Sequence, residues 1–304
     1  MSKKPTNLAT SVRQRLLNLS KEIGSPFDLV LTRYALERFL YRLSISSYAE
    51  QFILKGAMLI AVWAGGSHRP TRDLDLLGYG DPSDDQLLEL FREICRAEVE
   101  PDGLVFDPES MRITEIREQE VYDGRRLQFL AKLVDARINV QIDVGFGDAV
   151  TPEANEISYP TLLEFPAPRI RAYPPESVIS EKLQAMVALG MPNSRMKDFY
   201  DTWMIARQFA FESMTLVQAI KATFNRRRTE LPRETPIALS DEFAADPDKI
   251  KQWEAFLNRT GLRESAVDLT ETIDDLRKFL LPPILAVANE QTFNQSWPPG
   301  GPWS

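Results

Sequence analysis

The sequence predicts an α+β protein: a mixed sheet with flanking helices, followed by a mostly helical half. Segments with strand periodicity cluster at residues 71–77, 112–117, 125–134 and 136–145. Helical periodicity lies on both sides of this region, within 11–43 and again over 175–283. Prolines concentrate between residues 151 and 175, which indicates a crossover between domains. We therefore predict a sheet-containing domain over 1–155, a helical domain over 156–295 and a tail without regular structure over 296–304.

In the first half, the two helical segments within 11–43 are separated near Gly24-Ser25-Pro26, because glycine and proline break helices. Residues 56–63 predict a short apolar helix. Residues 84–96 predict an amphipathic helix with Ser83 as its N-cap. Residues 125–145 predict a β-hairpin that turns at Asp135-Ala136.

In the second half, Pro175 predicts the start of a helix that ends near Gly190 and Pro192. Further helices are predicted over residues 195–209, 213–226, 248–259 and 268–283. The tail from residue 296 is rich in proline and glycine, which is typical of chain without regular structure.

Composition narrows the possible chemistry. With one histidine, His68, and one cysteine, Cys95, the chain can build neither a zinc cluster nor an internal disulfide. Catalysis would then rest on carboxylates, lysines and metal ions. The net charge of −8 gives no general attraction for nucleic acid, so any RNA contact needs a local basic patch. No apolar run approaches the roughly 20 residues that cross a bilayer, and no signal peptide is evident. We expect a cytoplasmic protein without a membrane partner.

The most informative motif is Asp73-Leu74-Asp75-Leu76 in the first predicted strand. At the strand period of two, both carboxylates point to one face and both leucines to the other. Adjacent carboxylates repel each other, and a Mg²⁺ ion held by oxygen ligands removes that cost. In isolation this pattern is more typical of a solvated strand end, but its surroundings favour a metal site.

Two further segments supply those surroundings. Upstream, Lys55-Gly56 predicts a tight turn that opens a helix, and a helix N-terminus offers N–H groups to a phosphate. Downstream, Asp143 shares a strand face with Asn139 and Gln141, opposite the aliphatic residues. A polar strand residue facing water is the alternative for Asp143, and the absence of aliphatic residues on its face favours a metal ligand.

In this order, the motifs resemble the AbiEii nucleotidyltransferase toxins of type IV toxin–antitoxin systems, within the DNA-polymerase-β-like superfamily. The resemblance rests on residues 54–56, 69–76, 142–144, 181–185 and 195–201. It implies a polymerase-β-like nucleotidyltransferase core. One position departs from the family: Ala57-Met58 follows the glycine, so no hydroxyl stands there, and Ser67 or Thr71 would have to supply one.

The resemblance also implies roles for individual residues. Two Mg²⁺ ions would lie between three carboxylates and a nucleoside triphosphate, with both ions held by Asp73 and Asp75. Asp143 would hold the ion that activates the attacking hydroxyl, and could accept its proton. Lys182 and Asp198 would complete the catalytic set, and the implied nucleotide-binding residues are Lys55, Gly56, Arg69, Thr71 and Lys182.

Roles that involve no substrate remain open for several of these side chains. Lys182 lies among apolar residues of a predicted helix and could extend its ammonium to solvent. Asp198 could serve only the helix N-terminus, and Asp201 is predicted to pair with Lys197 at i,i+4. Of Arg69 and Arg72, one could neutralise phosphate while the other balances the aspartates. A basic run, Arg226-Arg227-Arg228, is usually a solvated helix end, but in this acidic chain it is the best RNA-binding candidate.

The favoured hypothesis is a Mg²⁺-dependent nucleotidyltransferase toxin. The resemblance implies nucleoside triphosphates as donor, RNA, in particular the tRNA 3′ end, as acceptor, and a cognate antitoxin as partner. One alternative is the same core acting on a small molecule or a protein. Another is a non-catalytic nucleotide-binding module whose site has decayed at Ala57-Met58, against which the three intact carboxylates argue.

Thr71 suggests a mode of regulation. It precedes Asp73 by two residues, so its hydroxyl shares the carboxylate face of the strand. Phosphorylation would place about −1.5 to −2 charges beside the carboxylates and compete with the triphosphate for metal and for Arg69. We hypothesise that the antitoxin acts by phosphorylating Thr71.

Overall fold

The computed structural model describes residues 8–63, 71–118, 122–263 and 267–304. The chain divides into two compact units. The first comprises Met1–Gly147 and Asn155–Ala172, and the second comprises Asp148–Ala154 and Tyr173–Ser304. A mixed sheet with flanking helices in one unit and a mostly helical second unit confirm the α+β class.

The first unit contains a seven-stranded sheet. Its strands are β1 (Phe52–Lys55), β2 (Asp73–Gly78), β3 (Val105–Glu118), β4 (Tyr122–Leu133), β5 (Ala136–Phe146), β6 (Asn155–Ser158) and β7 (Arg169–Ala172). Their order across the sheet is β3-β4-β5-β2-β1-β7-β6. The pairs β2–β5 and β1–β7 are parallel, and the other neighbours are antiparallel.

The helices of this unit are α1 (Leu8–Glu22), α2 (Phe27–Ser44), α3 (Gly56–Trp63) and α4 (Asp84–Arg96). The predictions of a break near Gly24, of a helix over 56–63 and of a helix over 84–96 are confirmed. Ser83 caps α4 through a reciprocal pair of bonds: its hydroxyl accepts from the Gln86 amide, and the Gln86 side chain accepts from the Ser83 amide.

Alternation along β4 and β5 separates a buried face from an open one. Leu127, Phe129, Val140 and Ile142 are buried, and α1 and α2 pack against these strands. Within this core, Phe39 of α2 stacks on Phe91, meets Phe106 edge to face and contacts Phe129 at a tilted angle. Because side chains alternate across a strand, the residues between the buried ones point to the opposite, open face.

A cluster of charged residues is buried where α2 meets the loop before β3. Arg42 Nη1 donates to Asp102 Oδ2 at 2.8 Å, and Arg38 Nε donates to the same oxygen at 3.1 Å. Glu37 Oε2 accepts from the Leu162 amide at 2.7 Å. Burial raises the pKa of Glu37 to about 7, although the Leu162 amide and Arg38 oppose this shift.

The second unit contains α5 (Pro175–Leu189), α6 (Met196–Gln208), α7 (Ser213–Arg226), α8 (Asp241–Ala245), α9 (Pro247–Thr260), α10 (Leu269–Ala288) and a two-stranded sheet of β8 (Phe211–Glu212) and β9 (Ser296–Trp297). Helix α5 packs on α6 and α7, and α10 packs on the same two helices. The helices predicted in this region are confirmed within one or two residues, except that α10 continues through Pro282 and Pro283 to Ala288.

The structure departs from the predictions at several points, including β3, which begins at Val105 instead of residue 112. The hairpin turns at Val134-Asp135, one residue before the predicted Asp135-Ala136, because Leu133 pairs with Ala136. Strands β6 and β7 extend the first unit's sheet, whereas we placed residues 156–172 with the helical domain. The tail contains β9, so the prediction of no regular structure over 296–304 is wrong at Ser296–Trp297, where the buried Trp297 ring packs on Phe279.

Candidate active site

Three carboxylates converge at the centre of the sheet. Strand β2 pairs with β5 in parallel register, so that Asp75 lies opposite Asp143 and Asp73 lies opposite Gln141. One carboxylate oxygen from each of Asp73, Asp75 and Asp143 lies within 4.8 Å of the other two. The leucines that alternate with the β2 aspartates are buried, which anchors the strand while its carboxylates stay partly exposed.

The turn before α3 fits closely against this group. Strand β1 is antiparallel to β2 and places Lys55 directly opposite Asp75. Gly56 has φ +71° and starts α3, and a Cβ atom added to it would lie 1.9 Å from Asp75 Oδ2. Only glycine allows this backbone to approach the carboxylate at that dihedral angle. The free N–H groups of the first turn of α3 therefore lie beside the acidic group.

Thr71 is also part of the site. Its hydroxyl donates a short hydrogen bond to the Asp73 carboxylate, as expected for two residues on one face of the chain. Arg72 instead pairs with Asp28 at 2.6 Å, and this bond lowers the pKa of the Asp28 carboxyl. The predicted phosphate-binding residue Arg69, and Ser67, the proposed source of a hydroxyl, both lie outside the described residues.

Sequence reasoning missed Arg126. Strand β4 places this residue directly opposite Asp143. Arg126 Nε donates to Asp143 Oδ1 at 2.8 Å, and Nη2 donates to Oδ2 at 2.7 Å, so the guanidinium binds both oxygens. The hydrogen bonds to Asp143 raise the pKa of Arg126, with smaller contributions from Asp73 and Asp75.

The donor set fits a divalent cation. It consists of oxygens, which hard cations prefer, and its three carboxylates lie close enough to share an ion. Their mutual repulsion is balanced by side-chain cations at the edge of the group, of which Arg126 is one. A thiol nucleophile is excluded, because burial raises the pKa of Cys95 to about 12.

The second unit holds a separate charged cluster. Lys182 of α5 donates to Asp198 Oδ1 at 2.6 Å and to Asp201 Oδ2 at 2.9 Å, and both carboxylates lie on α6. Only 13% of the Lys182 side chain is exposed, so the ammonium does not extend to solvent. The predicted pairing of Asp201 with Lys197 is wrong, because Asp201 pairs across to Lys182 while Lys197 is exposed.

The three arginines at the end of α7 differ in their surroundings. Arg226 and Arg228 are exposed. Arg227 is largely buried: its guanidinium donates to the Gln184 side chain at 2.8 Å and pairs with Asp148 at 3.1 Å and Glu181 at 3.3 Å. These contacts hold α7 to α5, so Arg227 serves packing within the second unit.

The sheet, the glycine turn at a helix N-terminus and the three converging carboxylates define a nucleotidyltransferase. The model of the family described as "Nucleotidyl transferase AbiEii toxin, Type IV TA system" matches residues 38–278. The chain therefore belongs to the AbiEii nucleotidyltransferase toxin family, whose chemistry implies a nucleoside triphosphate substrate and whose biology implies an antitoxin partner.

Two solved structures resemble the chain at 16% sequence identity. JHP933 from Helicobacter pylori has a TM-score of 0.45, with 83% of this chain and 87% of that chain covered. A candidate nucleotidyltransferase from H. pylori has a TM-score of 0.47, with 84% of this chain and 95% of that chain covered. Likenesses at this level carry no information about activity. None of the curated proteins matches the chain. Within the described residues, none of the helices is long and apolar enough to cross a membrane.

Proposed function

We propose that this protein is a cytoplasmic, Mg²⁺-dependent toxin that transfers a nucleotide from a nucleoside triphosphate to RNA, with the tRNA 3′ end as its acceptor. Modified tRNA ends would block translation and growth. The observation that carries the proposal is the meeting of Asp73, Asp75 and Asp143, with oxygens within 4.8 Å, in a chain of the AbiEii family.

The three carboxylates have distinct tasks in this proposal. Asp73 and Asp75 would hold two Mg²⁺ ions, with Asp143 as a further ligand of one of them. When bound, the ions would neutralise triphosphate charge and acidify the attacking hydroxyl. Asp143 would accept the proton of that hydroxyl. The resulting oxygen would attack the α-phosphorus, form the new phosphodiester bond and release pyrophosphate.

The surrounding groups would position the triphosphate. Gly56 supports this role because its conformation brings the N–H groups of α3 beside the carboxylates. Lys55 shares the face of Asp75 and supplies positive charge there. By the family resemblance, Arg69, Thr71, Lys182 and Asp198 would contribute further contacts, and Arg226 and Arg228 would be exposed candidates for RNA.

A labelling experiment tests the proposal. The protein is incubated with each α-labelled nucleoside triphosphate, Mg²⁺ and total cellular RNA, and the products are separated by size after nuclease or protease treatment. We expect nuclease-sensitive label on RNA of tRNA size, and no label when EDTA is present. Label that is sensitive to protease, or confined to small molecules, would replace the RNA acceptor with the alternative in question. No transfer to any acceptor would contradict the enzyme itself.

The antitoxin would inactivate the protein by phosphorylating Thr71. The hydroxyl of Thr71 already contacts the Asp73 carboxylate, so a phosphate at this position would bring about −1.5 to −2 charges against a metal ligand. The added group would compete for the cation site and repel the triphosphate.

The variants Thr71→Glu and Thr71→Val separate charge from loss of the hydroxyl. We expect Thr71→Glu to lose most transfer activity and Thr71→Val to retain a large part of it. Mass spectrometry of the toxin isolated with its antitoxin should find phosphate on Thr71. Parental activity in Thr71→Glu, together with an unmodified Thr71, would rule the mechanism out.

A further inference from the structure

The open face of β3, β4 and β5 carries basic side chains at four described positions, 112, 126, 132 and 137, although the chain has a net charge of −8. Arg126 pairs there with Asp143 and Lys132 lies 3.8 Å from Asp107, so the positive charge left for a ligand comes from Arg112 and Arg137. Register places Thr114, Arg126 and Asp143 in one row across these strands, and Arg112, Gln128 and Gln141 in the next. Lys132 and Arg137 form a further row near the hairpin turn. We call this surface the basic sheet face and define it by Arg112, Arg126, Gln128, Lys132, Arg137 and Asn139.

Its outer arginines are not used to hold the fold together. Arg112 and Arg137 are exposed, and neither makes an ion pair with any residue of the described chain. Other arginines of the first unit do pair with carboxylates, among them Arg72 with Asp28, Arg96 with Glu109, Arg125 with Asp84 and Arg169 with Glu156. In an acidic protein, exposed arginines without carboxylate partners are positioned for an external anion.

The basic sheet face is continuous with the carboxylate site. Asp143 occupies the same face of β5 as Gln141, Asn139 and Arg137, because these residues alternate with buried ones. Arg137 lies six residues from Asp143 along β5, about 20 Å at about 3.4 Å per residue. A bound chain could thus extend from the reacting carboxylates to the hairpin turn over a single surface.

We propose that the basic sheet face binds the phosphate backbone of a single-stranded nucleic acid end and directs its terminal hydroxyl to Asp143. This inference rests on the proposed function, and it identifies the surface on which the RNA acceptor would lie. Arginine and lysine suit phosphate, and the amides of Gln128 and Asn139 suit phosphate and sugar oxygens. The six residues that define the face include no aromatic side chain on which bases could stack, so these contacts select a flexible anionic strand with little preference for its bases.

The arginines at the end of α7 are the alternative candidate for an RNA-binding surface. Of those, Arg227 is committed to Asp148, Glu181 and Gln184, which leaves Arg226 and Arg228 exposed. The two surfaces can be compared with matched double variants, Arg112→Gln/Arg137→Gln and Arg226→Gln/Arg228→Gln. Each pair removes two exposed charges, and neither Arg112 nor Arg137 pairs with a carboxylate of the site.

Binding is measured by fluorescence anisotropy with a labelled single-stranded RNA that has a free 3′ hydroxyl, over a series of salt concentrations. We expect Arg112→Gln/Arg137→Gln to weaken binding about tenfold or more and to lower the slope of log K against log salt by about 1.4, since each lost contact to a single strand removes about 0.7. The α7 pair should weaken binding by less than the Arg112/Arg137 pair does. Mn²⁺ affinity and melting temperature should be unchanged in both.

The proposal is overturned if the α7 pair loses RNA binding while Arg112→Gln/Arg137→Gln retains it, or if both bind as the parent does. It is also overturned if the parent binds no RNA, or if the Arg112/Arg137 pair impairs transfer to an acidic protein instead. The labelling gel tests the proposed function separately. If RNA is labelled but Arg112→Gln/Arg137→Gln binds RNA as the parent does, only the proposed binding surface is rejected. If another acceptor is labelled, the proposed RNA function itself is rejected.

Discussion

Each unit of the molecule gathers carboxylates around a basic side chain, and the two clusters differ in burial. In the first unit, the side chain of Arg126 is 39% exposed where it binds Asp143, and three carboxylates face one another. In the second, Lys182 lies between Asp198, 8% exposed, and Asp201, which is fully buried. Carboxylates outnumber the basic side chain in both clusters, but the first is partly exposed and the second encloses its lysine.

This difference separates a site for an exchangeable cation from one with a fixed cation. A guanidinium that is partly in water can leave a carboxylate at little cost, because exposed ion pairs contribute about 0–1 kcal/mol. A buried pair cannot be opened so easily, since removing one partner leaves the other charge without compensation. The first cluster therefore suits binding and release of metal, and the second suits a permanent support for α5 and α6.

The largest expected effect is on catalysis in the first cluster. Asp75→Asn should lower nucleotide transfer roughly a thousandfold or more, about 4 kcal/mol in activation free energy, because the metal loses a charged ligand. Its melting temperature should be equal to the parent's or higher, since carboxylate repulsion is reduced. Activity is measured by the labelling gel, and the exposed Asp81→Asn is the control. Full activity in Asp75→Asn would contradict the site.

The second prediction concerns the enclosed lysine. Lys182→Ala should destabilise the protein by about 3 kcal/mol, because two carboxylates of α6 lose their shared cation. The exposed Lys197→Ala, on the same helix as those carboxylates, should change stability by less than about 0.5 kcal/mol. Urea unfolding measures both. Adding Asp201→Asn to Lys182→Ala should recover part of the loss.

Lys182 is also a predicted triphosphate contact, and the same variant distinguishes the two roles. If Lys182→Ala unfolds at the parental urea concentration but requires far more nucleotide for transfer, the lysine serves the substrate and the cluster is not a fixed support. A loss of stability that Asp201→Asn repairs, with nucleotide use restored in parallel, would assign the lysine to positioning.

The third prediction concerns Glu37, a buried carboxylate whose charge is only partly balanced by hydrogen bonds and nearby cations. Glu37 Oε1 has no hydrogen-bond partner within the described chain, and the nearest Arg38 nitrogen that pairs with it lies at 3.7 Å. Its pKa is about 7 in the folded protein, against an ordinary value of 4.5. The folded state thus binds this proton more tightly than the unfolded state, so stability should fall as pH rises from about 4.5 to 7 and then level off.

Glu37→Gln should remove this pH dependence. Glutamine can still accept the Leu162 amide, and Arg38 keeps Asp102 and the Pro166 carbonyl as acceptors. We expect the variant to be more stable than the parent by about 3 kcal/mol at pH 8, and equal to it near pH 4. Thermal melts across this range measure the difference. A constant difference at all pH values would show that Glu37 does not titrate between the two limits.

Much of this architecture follows from the sequence, because helix caps and alternating strands are local signals. Ser83 with Gln86 marks the start of α4, and buried leucines alternate with the aspartates of β2. The pairing of Lys182 with Asp198 and Asp201 is different, since it depends on how α5 packs against α6. No spacing in the sequence reports that contact, and so the lysine could be read equally well as solvated or catalytic.

The partner of Asp143 was missed through the hairpin register. With the turn at Val134-Asp135, Leu133 pairs with Ala136, and Arg126 then faces Asp143. The predicted turn, one residue later, would have placed Gln128 there instead. Val134 has φ +55°, a conformation that β-branched residues rarely adopt, so sequence preference disfavoured the correct turn. An error of one residue in the position of the turn therefore prevented the sequence from identifying Arg126 as the partner of Asp143.

The smallest predicted effect tests whether that cation exchanges with metal. Arg126 binds both oxygens of Asp143, so its positive charge and a divalent ion compete for the same carboxylate. Arg126→Gln should bind Mn²⁺ about tenfold more tightly, about 1.4 kcal/mol, as followed by electron paramagnetic resonance without nucleotide. Arg112→Gln, which lacks a contact to Asp143, should bind Mn²⁺ as the parent does. Unchanged or weaker Mn²⁺ binding in Arg126→Gln would mean that the guanidinium does not compete with the ion for Asp143.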